Sequence, residues 1–181
     1  NEQTTVIDIG TGSGAIAITL AKETDQQVIA IDISTRALAV AKYNAQTHKV
    51  DHKISFMEGN LLEPYIQKSI NESGSHRSCV IMANLPYARQ RQWEFLDPDV
   101  IEYEPKSAIV SGVDGLDHYE NLLKQIQKNR HSFPTSTTLF FEIDPSQSTS
   151  IKHLVHEYFP QSDIKITNDL ASKPRIVTIN I

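Results

Sequence analysis

The chain has one cysteine, one tryptophan and two methionines among 181 residues. A single thiol, Cys79, cannot close an internal disulfide, so a reducing, cytoplasmic setting is expected. Cys79 lies in the apolar run Cys79-Val80-Ile81-Met82, where its expected role is inert strand filling. No apolar run approaches the roughly 20 residues of a membrane span, and no signal-peptide pattern is present, so no membrane partner is expected. The seven histidines (48, 52, 76, 118, 131, 153 and 156) show no metal-ligand spacing with carboxylates, and His153 with His156 lacks a third ligand. No metal is expected. Excess positive charge is also missing: 17 Lys and Arg face 22 Asp and Glu, for a net charge of −5. That balance argues against a surface that grips nucleic acid throughout. An initial methionine is absent too. Asn1-Glu2-Gln3 runs straight into an apolar segment, so the chain is expected to be a piece of a longer protein.

What is present is ordinary for a globular chain, 39% hydrophobic and 22% charged, and the length suits one domain over residues 1–181. Apolar β-branched runs alternate with segments of helical period. This predicts an α/β fold, a doubly wound, seven-stranded, mainly parallel sheet with helices on both faces. Strands are predicted at 4–9, 27–32, 53–58, 78–84, 137–143, 163–168 and 175–181. Helices are predicted at 14–23, 35–47 with Ser34 as cap, 61–70, 116–130 and 146–158. The turn between the last two strands is too short for a crossover, so they should pair antiparallel and leave one reversed strand. Residues 71–78 read as a polar loop. Residues 88–112 are a long excursion after the fourth strand, where substrate loops and lids are usual.

Between the first strand and first helix stand Gly10, Gly12 and Gly14. Glycines permit the tight turn and let a ligand approach the backbone, and the helix N-terminus favours an anionic group. Gly10-x-Gly12-x-x-Ala15, with Asp32 about 20 residues on, also satisfies the dinucleotide pattern. Asp8 decides against it, because a carboxylate there repels a pyrophosphate and attracts an ammonium or sulfonium. S-adenosylmethionine carries both cations, a carboxylate for the turn's amides and a ribose diol for Asp32. Asp8-x-Gly10-x-Gly12-x-Gly14 resembles the first motif of class I methyltransferases. In that class an acid and an apolar residue often flank the adenine where this chain has Asn60 and Leu61. Asn60 can read an adenine edge, cap a helix starting at Leu61, or do both.

The fourth strand runs into Asn84-Leu85-Pro86-Tyr87. A conjugated –NH₂ is a poor nucleophile, and it must pyramidalise to attack a methyl group. Two acceptors placed for that geometry favour the transition state over the planar ground state. Asn84 Oδ1 and the Leu85 carbonyl are the candidates; Pro86 restricts Leu85 to extended conformations, and Tyr87 offers a flat face to a planar group. By itself the tetrapeptide does not separate a glutamine amide from the exocyclic amine of a nucleobase. From Leu85 to Ala108, three basic residues (Arg89, Arg91, Lys106) face five acids (Glu94, Asp97, Asp99, Glu102, Glu104). That balance suits a protein substrate better than an RNA or DNA adenine. Trp93, beside the two arginines, reads equally as a stacking residue or one packed on the sheet edge. Glu142 reads as a residue that orients a substrate loop or as a structural one.

Seven segments occur in order: DIGTGSGAIAITLAK, AIDISTRALAVAKYNA, GNLLEP, ANLPY, EYEPKSAIVSGVDGLDHYENLL, FFEIDPSQ and DLASKPRIVTI. Together they resemble the catalytic domain of the HemK/PrmC family, most specifically in Tyr103-Glu104-Pro105 and Gly112-x-Asp114-Gly115-Leu116-x-x-Tyr119. The resemblance implies methyl transfer from S-adenosylmethionine, leaving S-adenosylhomocysteine, to N5 of the glutamine in the Gly-Gly-Gln loop of peptide-chain release factors. It implies cofactor contacts at Asp8, Gly10, Thr11, Gly12, Gly14, Asp32, Ile33, Asn60, Leu61 and Asn84. It implies that Asn84, Leu85, Pro86 and Tyr87 hold the glutamine, and that a helical N-terminal domain is missing from this chain. Two positions depart from the family. Leu85 replaces the usual first proline, giving a spelling shared with ribosomal-RNA adenine dimethyltransferases, and Asn60 replaces a common aspartate.

Overall fold

A computed structural model describes residues 4–71, 77–88 and 111–181. Seven strands form one sheet: β1 (Thr4–Ile9), β2 (Val28–Asp32), β3 (Ile54–Glu58), β4 (Ser78–Ala83), β5 (Ser136–Glu142), β6 (Asp163–Asn168) and β7 (Pro174–Asn180). Among the described residues five α-helices join them: α1 (Ala15–Glu23), α2 (Thr35–Thr47), α3 (Glu63–Asn71), α4 (Asp117–Lys128) and α5 (Ser148–Tyr158). The strand order is β3-β2-β1-β4-β5-β7-β6. β7 pairs antiparallel with β5 on one side and β6 on the other, so it is the one reversed strand.

Burial explains the order. Five of the six β1 residues are buried, as a strand covered on both faces requires, with Val6, Ile7 and Ile9 apolar and only Thr5 and Asp8 polar among them. β6 alternates exposed and half-buried positions and closes the edge with Asp163, Lys165 and Asn168, which discourages pairing with another chain. Ser34 caps α2 as expected, its Oγ accepting from Ala37 N at 3.2 Å.

Two apolar layers sit on opposite faces. Val6, Val28, Ala30 and Ile54 pack with Ala17, Ile18 and Ala21 of α1 and Ala45 of α2. Ile7, Ile9, Ile81, Leu139 and Phe141 pack with Tyr65 and Ile66 of α3, Leu122 and Ile126 of α4, and Ile151 and Val155 of α5. Cys79 is buried in this second layer, and burial pushes its thiol up to about 12, which suits an inert filler.

One expected boundary is corrected. α3 begins at Glu63 rather than Leu61, because Leu61 adopts a left-handed φ of 54° and the Leu62 amide is taken by Gln125 Oε1 at 2.8 Å. Asn60 therefore caps no helix at Leu61. Pro64, which has no amide hydrogen to lose, fits the first turn. Of the expected polar loop, residues 72–76 lie outside the described residues.

Chain order reverses at β1, which has β2 on one side and β4 on the other. In an open α/β sheet, such a switch point opens a crevice beyond the carboxyl ends of the strands.

Candidate active site

The register sets the site. Ile9 pairs with Ile31 and with Ala83, and Ala83 pairs with Phe141. One residue further along each strand stand Gly10, Asp32, Asn84 and Glu142, so four chain segments leave the sheet at one level on its carboxyl edge.

The glycine loop is held from three sides. Gly10 N and Thr11 N both donate to the Ile31 carbonyl, at 2.8 and 3.0 Å. Gly12 N donates to Asp32 Oδ2 at 2.9 Å, and Asn44 Nδ2 reaches across from α2 to the Ser13 carbonyl at 2.9 Å. Gly10 and Gly14 have φ of 68° and 84°, the left-handed region that a side chain strains. At Gly14 a β-carbon would also stand 3.1 Å from Ala41 Cβ, so this glycine lets α1 and α2 close on each other.

Asp8 lies beneath the loop, 1% exposed. Its Oδ2 accepts from Thr11 Oγ1 at 2.6 Å and from Ala17 N at 3.1 Å, which ties β1, the loop and the first turn of α1 together. Its other oxygen, Oδ1, is buried without a hydrogen-bond partner. Burial pushes this carboxyl up to about 6, the two hydrogen bonds opposing the rise and the Asp32 charge adding to it. Asp32 Oδ1 accepts from Ser34 N at 2.8 Å, so each of its oxygens holds one backbone amide and keeps a lone pair free. Next to it Ile33 is 72% exposed, an apolar face beside an acid at the mouth of the crevice. Asn60 turns its Nδ2 to Glu63 Oε1 at 3.1 Å, and Leu61 is buried in the core.

In the tetrapeptide, Asn84 is exposed, Leu85 is buried at 5%, and Pro86 and Tyr87 are half-buried. Tyr87 O–H donates to Glu142 Oε1 at 3.3 Å, which gives Glu142 an orienting contact. Burial, and then the Glu142 carboxylate, raise the Tyr87 hydroxyl above its ordinary value. Below, the fully buried Tyr119 stacks on Phe141 with ring centroids 4.7 Å apart. Its O–H donates to the Glu142 carbonyl and also approaches the Ala83 carbonyl at 3.5 Å, so one hydroxyl ties the ends of β4 and β5.

Sequence reasoning assigned no role to Gln147. Its carboxamide is 1% exposed and donates from Nε2 to the carbonyls of Tyr87 and Asp114, both at 3.0 Å. Asp144-Pro145-Ser146-Gln147 forms a capping box at the 3-10 turn Pro145–Gln147, in which Gln147 Oε1 accepts from Asp144 N at 2.9 Å. The Asp-x-x-Gln spacing was the available signal. Ser111 N donates to the Ala88 carbonyl at 2.9 Å, so the excursion leaves and rejoins the fold at one point. Residues 89–110 lie outside the described residues, and with them Arg89, Arg91, Trp93, Tyr103-Glu104-Pro105 and the charge balance read from that stretch. Among the described residues no three His, Cys, Asp or Glu side chains group as a metal site, and no helix is long and apolar enough to cross a membrane.

Residues 1–87 match a family described as a methyltransferase domain. The chain is 36% identical over 182 residues to the release factor glutamine methyltransferase of Bacillus anthracis, covering 100% of this chain and 60% of that protein. To the release factor glutamine methyltransferase of Enterococcus faecalis it is 35% identical over 173 residues, 95% of this chain and 58% of that one. The chain thus spans about 60% of the length of the curated relatives it matches. Among solved structures, the ribosomal protein L11 methylase of Lactobacillus delbrueckii superposes with a TM-score of 0.61 at 19% identity, covering 99% of this chain and 69% of that one. An O-methyltransferase of Bacillus cereus in complex with SAH superposes at 0.60 and 11% identity, covering 98% and 73%. At those identities the likeness establishes a fold, that of the class I methyltransferases.

Proposed function

We propose that this chain, 36% identical to a release factor glutamine methyltransferase of which it covers 60%, belongs to that family and methylates a protein glutamine. The acceptor is N5 of the glutamine in the Gly-Gly-Gln loop of peptide-chain release factors, and the donor is S-adenosylmethionine. One observation carries the reading. In-register pairing of β1 with β4 sets the glycine loop beside Asn84-Leu85-Pro86-Tyr87, a donor-type loop against an acceptor-type turn.

The residues present suit the cofactor. The left-handed glycines leave backbone open to a ligand, Asp32 retains acceptor capacity for a diol, and exposed Ile33 offers an apolar face for a base. Asp8 acts by bracing the loop and by adding negative charge beneath it; Gly10, Thr11, Gly12, Gly14, Asn60 and Leu61 complete the proposed binding set. When bound, the sulfonium supplies an already activated methyl group, so neither a metal nor an early general base is needed.

The rest falls to the acceptor side. Asn84 Oδ1 and the Leu85 carbonyl accept the two amide N–H groups and favour a pyramidal nitrogen over the planar amide. Tyr87, fixed through its hydroxyl to Glu142, lays its ring against the amide plane. The nitrogen becomes acidic as it is methylated and loses its proton to water.

Asn-Leu-Pro-Tyr keeps an N6-adenine RNA or DNA methyltransferase as the second reading. The test offers labelled S-adenosylmethionine to the chain with a release factor, with its Gln→Ala loop variant, and with ribosomal RNA. Label on the wild-type factor alone is expected. Label on the RNA overturns the glutamine reading, and label on the Gln→Ala factor moves the acceptor elsewhere.

A further inference from the structure

The buried Gln147 amide joins two stretches of chain, the end of the Asn84–Tyr87 turn and the Asp114–Gly115 turn. Tyr87 and Asp114 each present a carbonyl, which only accepts, and Nε2 faces both at 3.0 Å. The Asp144 N–H, which only donates, faces Oε1 at 2.9 Å. The orientation of the amide is therefore fixed by its three neighbours. Gly115 shows how tight the approach is: it has φ of 81°, a β-carbon there would collide with the Tyr87 carbonyl oxygen, and the same β-carbon would lie 2.5 Å from Gln147 Nε2.

Tyr87 is thereby held at both ends, its carbonyl by Gln147 and its hydroxyl by Glu142. The peptide unit after Tyr87 cannot turn without breaking the first bond, and the ring cannot swing without breaking the second. Pro86 passes that restraint back to Leu85, whose conformation it confines. We propose that Gln147 is a positioning residue for the acceptor site. It clamps the Tyr87 carbonyl to the Asp114–Gly115 turn and so sets both the Tyr87 ring and the Leu85 carbonyl for the incoming amide. The proposal rests on the glutamine-methylation reading for its kinetic consequence, though not for the clamp itself.

Two functions of one side chain can be separated by one atom. Gln147→Glu keeps the length and shape of the side chain, and it keeps an oxygen for the Asp144 amide. It replaces the donor to two carbonyls with a second oxygen that repels them. For transfer to a release factor, kcat/KM is expected to fall about tenfold or more, with kcat carrying most of the loss, while cofactor affinity by calorimetry stays within about twofold. As pH is lowered, the introduced carboxyl takes a proton and regains one donor, so the variant's rate relative to wild type rises toward acid. Hydrogen exchange supplies a readout free of any substrate: the Ser111 amide exchanges faster in the variant, while the Asp144 amide stays protected. Gln147→Met, which leaves the two carbonyls unpaired without repelling them, carries the same kinetic and Ser111 expectations should the glutamate variant not fold.

Unchanged transfer, or a loss matched by an equal loss of cofactor affinity, overturns the positioning role. Unchanged exchange at Ser111 overturns the clamp. A wild-type chain that binds cofactor and labels no release factor overturns the glutamine reading instead, and the exchange result still stands or falls by itself.

Discussion

Leu85 of the Asn84–Tyr87 turn packs directly onto Gly10 of the glycine loop: its Cδ2 lies 2.9 Å from where a β-carbon on Gly10 would stand. The two motifs thus share a van der Waals contact as well as a sheet register. Leu85 is 5% exposed, so its truncation leaves a hole under the loop. Leu85→Ala is expected to cost about 2–4 kcal/mol of stability. It should also weaken cofactor binding, although the alanine keeps the carbonyl assigned to catalysis. Chemical denaturation and calorimetry on the same preparation check both; a stability loss with cofactor affinity untouched would show the contact to be packing alone.

Asn84 is exposed and outside both core layers, so Asn84→Ala should shift stability by no more than about 0.5 kcal/mol. Transfer should be abolished while cofactor affinity is largely kept. Joint loss of transfer and affinity would mean that its amide serves the donor rather than the acceptor.

Asp32→Ala removes the acceptor for two backbone amides, Gly12 and Ser34, as well as the proposed diol partner. Cofactor affinity is expected to fall by at least about tenfold. The Tyr87–Glu142 contact lies on the far side of β1 and should be undisturbed, as the chemical shifts of Tyr87 would report.

Asp8 gives the chain a pH dependence of definite sign. Burial raises its folded-state value from 3.8 to about 6, so between those values the folded chain holds a proton that the unfolded chain has lost. Its contribution is fully present below 3.8 and is lost as pH rises through about 6, a change of up to about 3 kcal/mol. Asp8→Asn, which keeps an oxygen for Thr11 and Ala17, should flatten that part of the stability profile. Denaturation midpoints between pH 4 and 7 that fall equally in both proteins would assign the slope to other groups.

The identity of the elements was legible because their signals are local. β-branched runs, helical periods, Ser34 before α2 and the short turn after β6 act within a few residues of chain. The glycine loop, Asp32 and Asn84-Leu85-Pro86-Tyr87 were equally visible, since their chemistry depends on residue type and order. Asn60 misled for the converse reason. Asn before an apolar residue is a good local cap signal, but burial of Leu61 in a left-handed turn and the hold of Gln125 on the Leu62 amide moved the helix start to Glu63.

By itself the sequence determined which residues form strands, and it marked the glycine loop and the Asn84–Tyr87 turn as the segments proposed for donor and acceptor. Tertiary structure alone decided that β7 would insert between β5 and β6, that β1 and β4 would pair with Gly10 level with Asn84, and that Leu85 would fill the space beneath the loop. It alone placed Gln147 within reach of Tyr87, 60 residues away in the chain. Such contacts are fixed by strand register and by the packing of both faces at once. Neither is encoded in any short window of residues, because each depends on which distant surface remains to be covered.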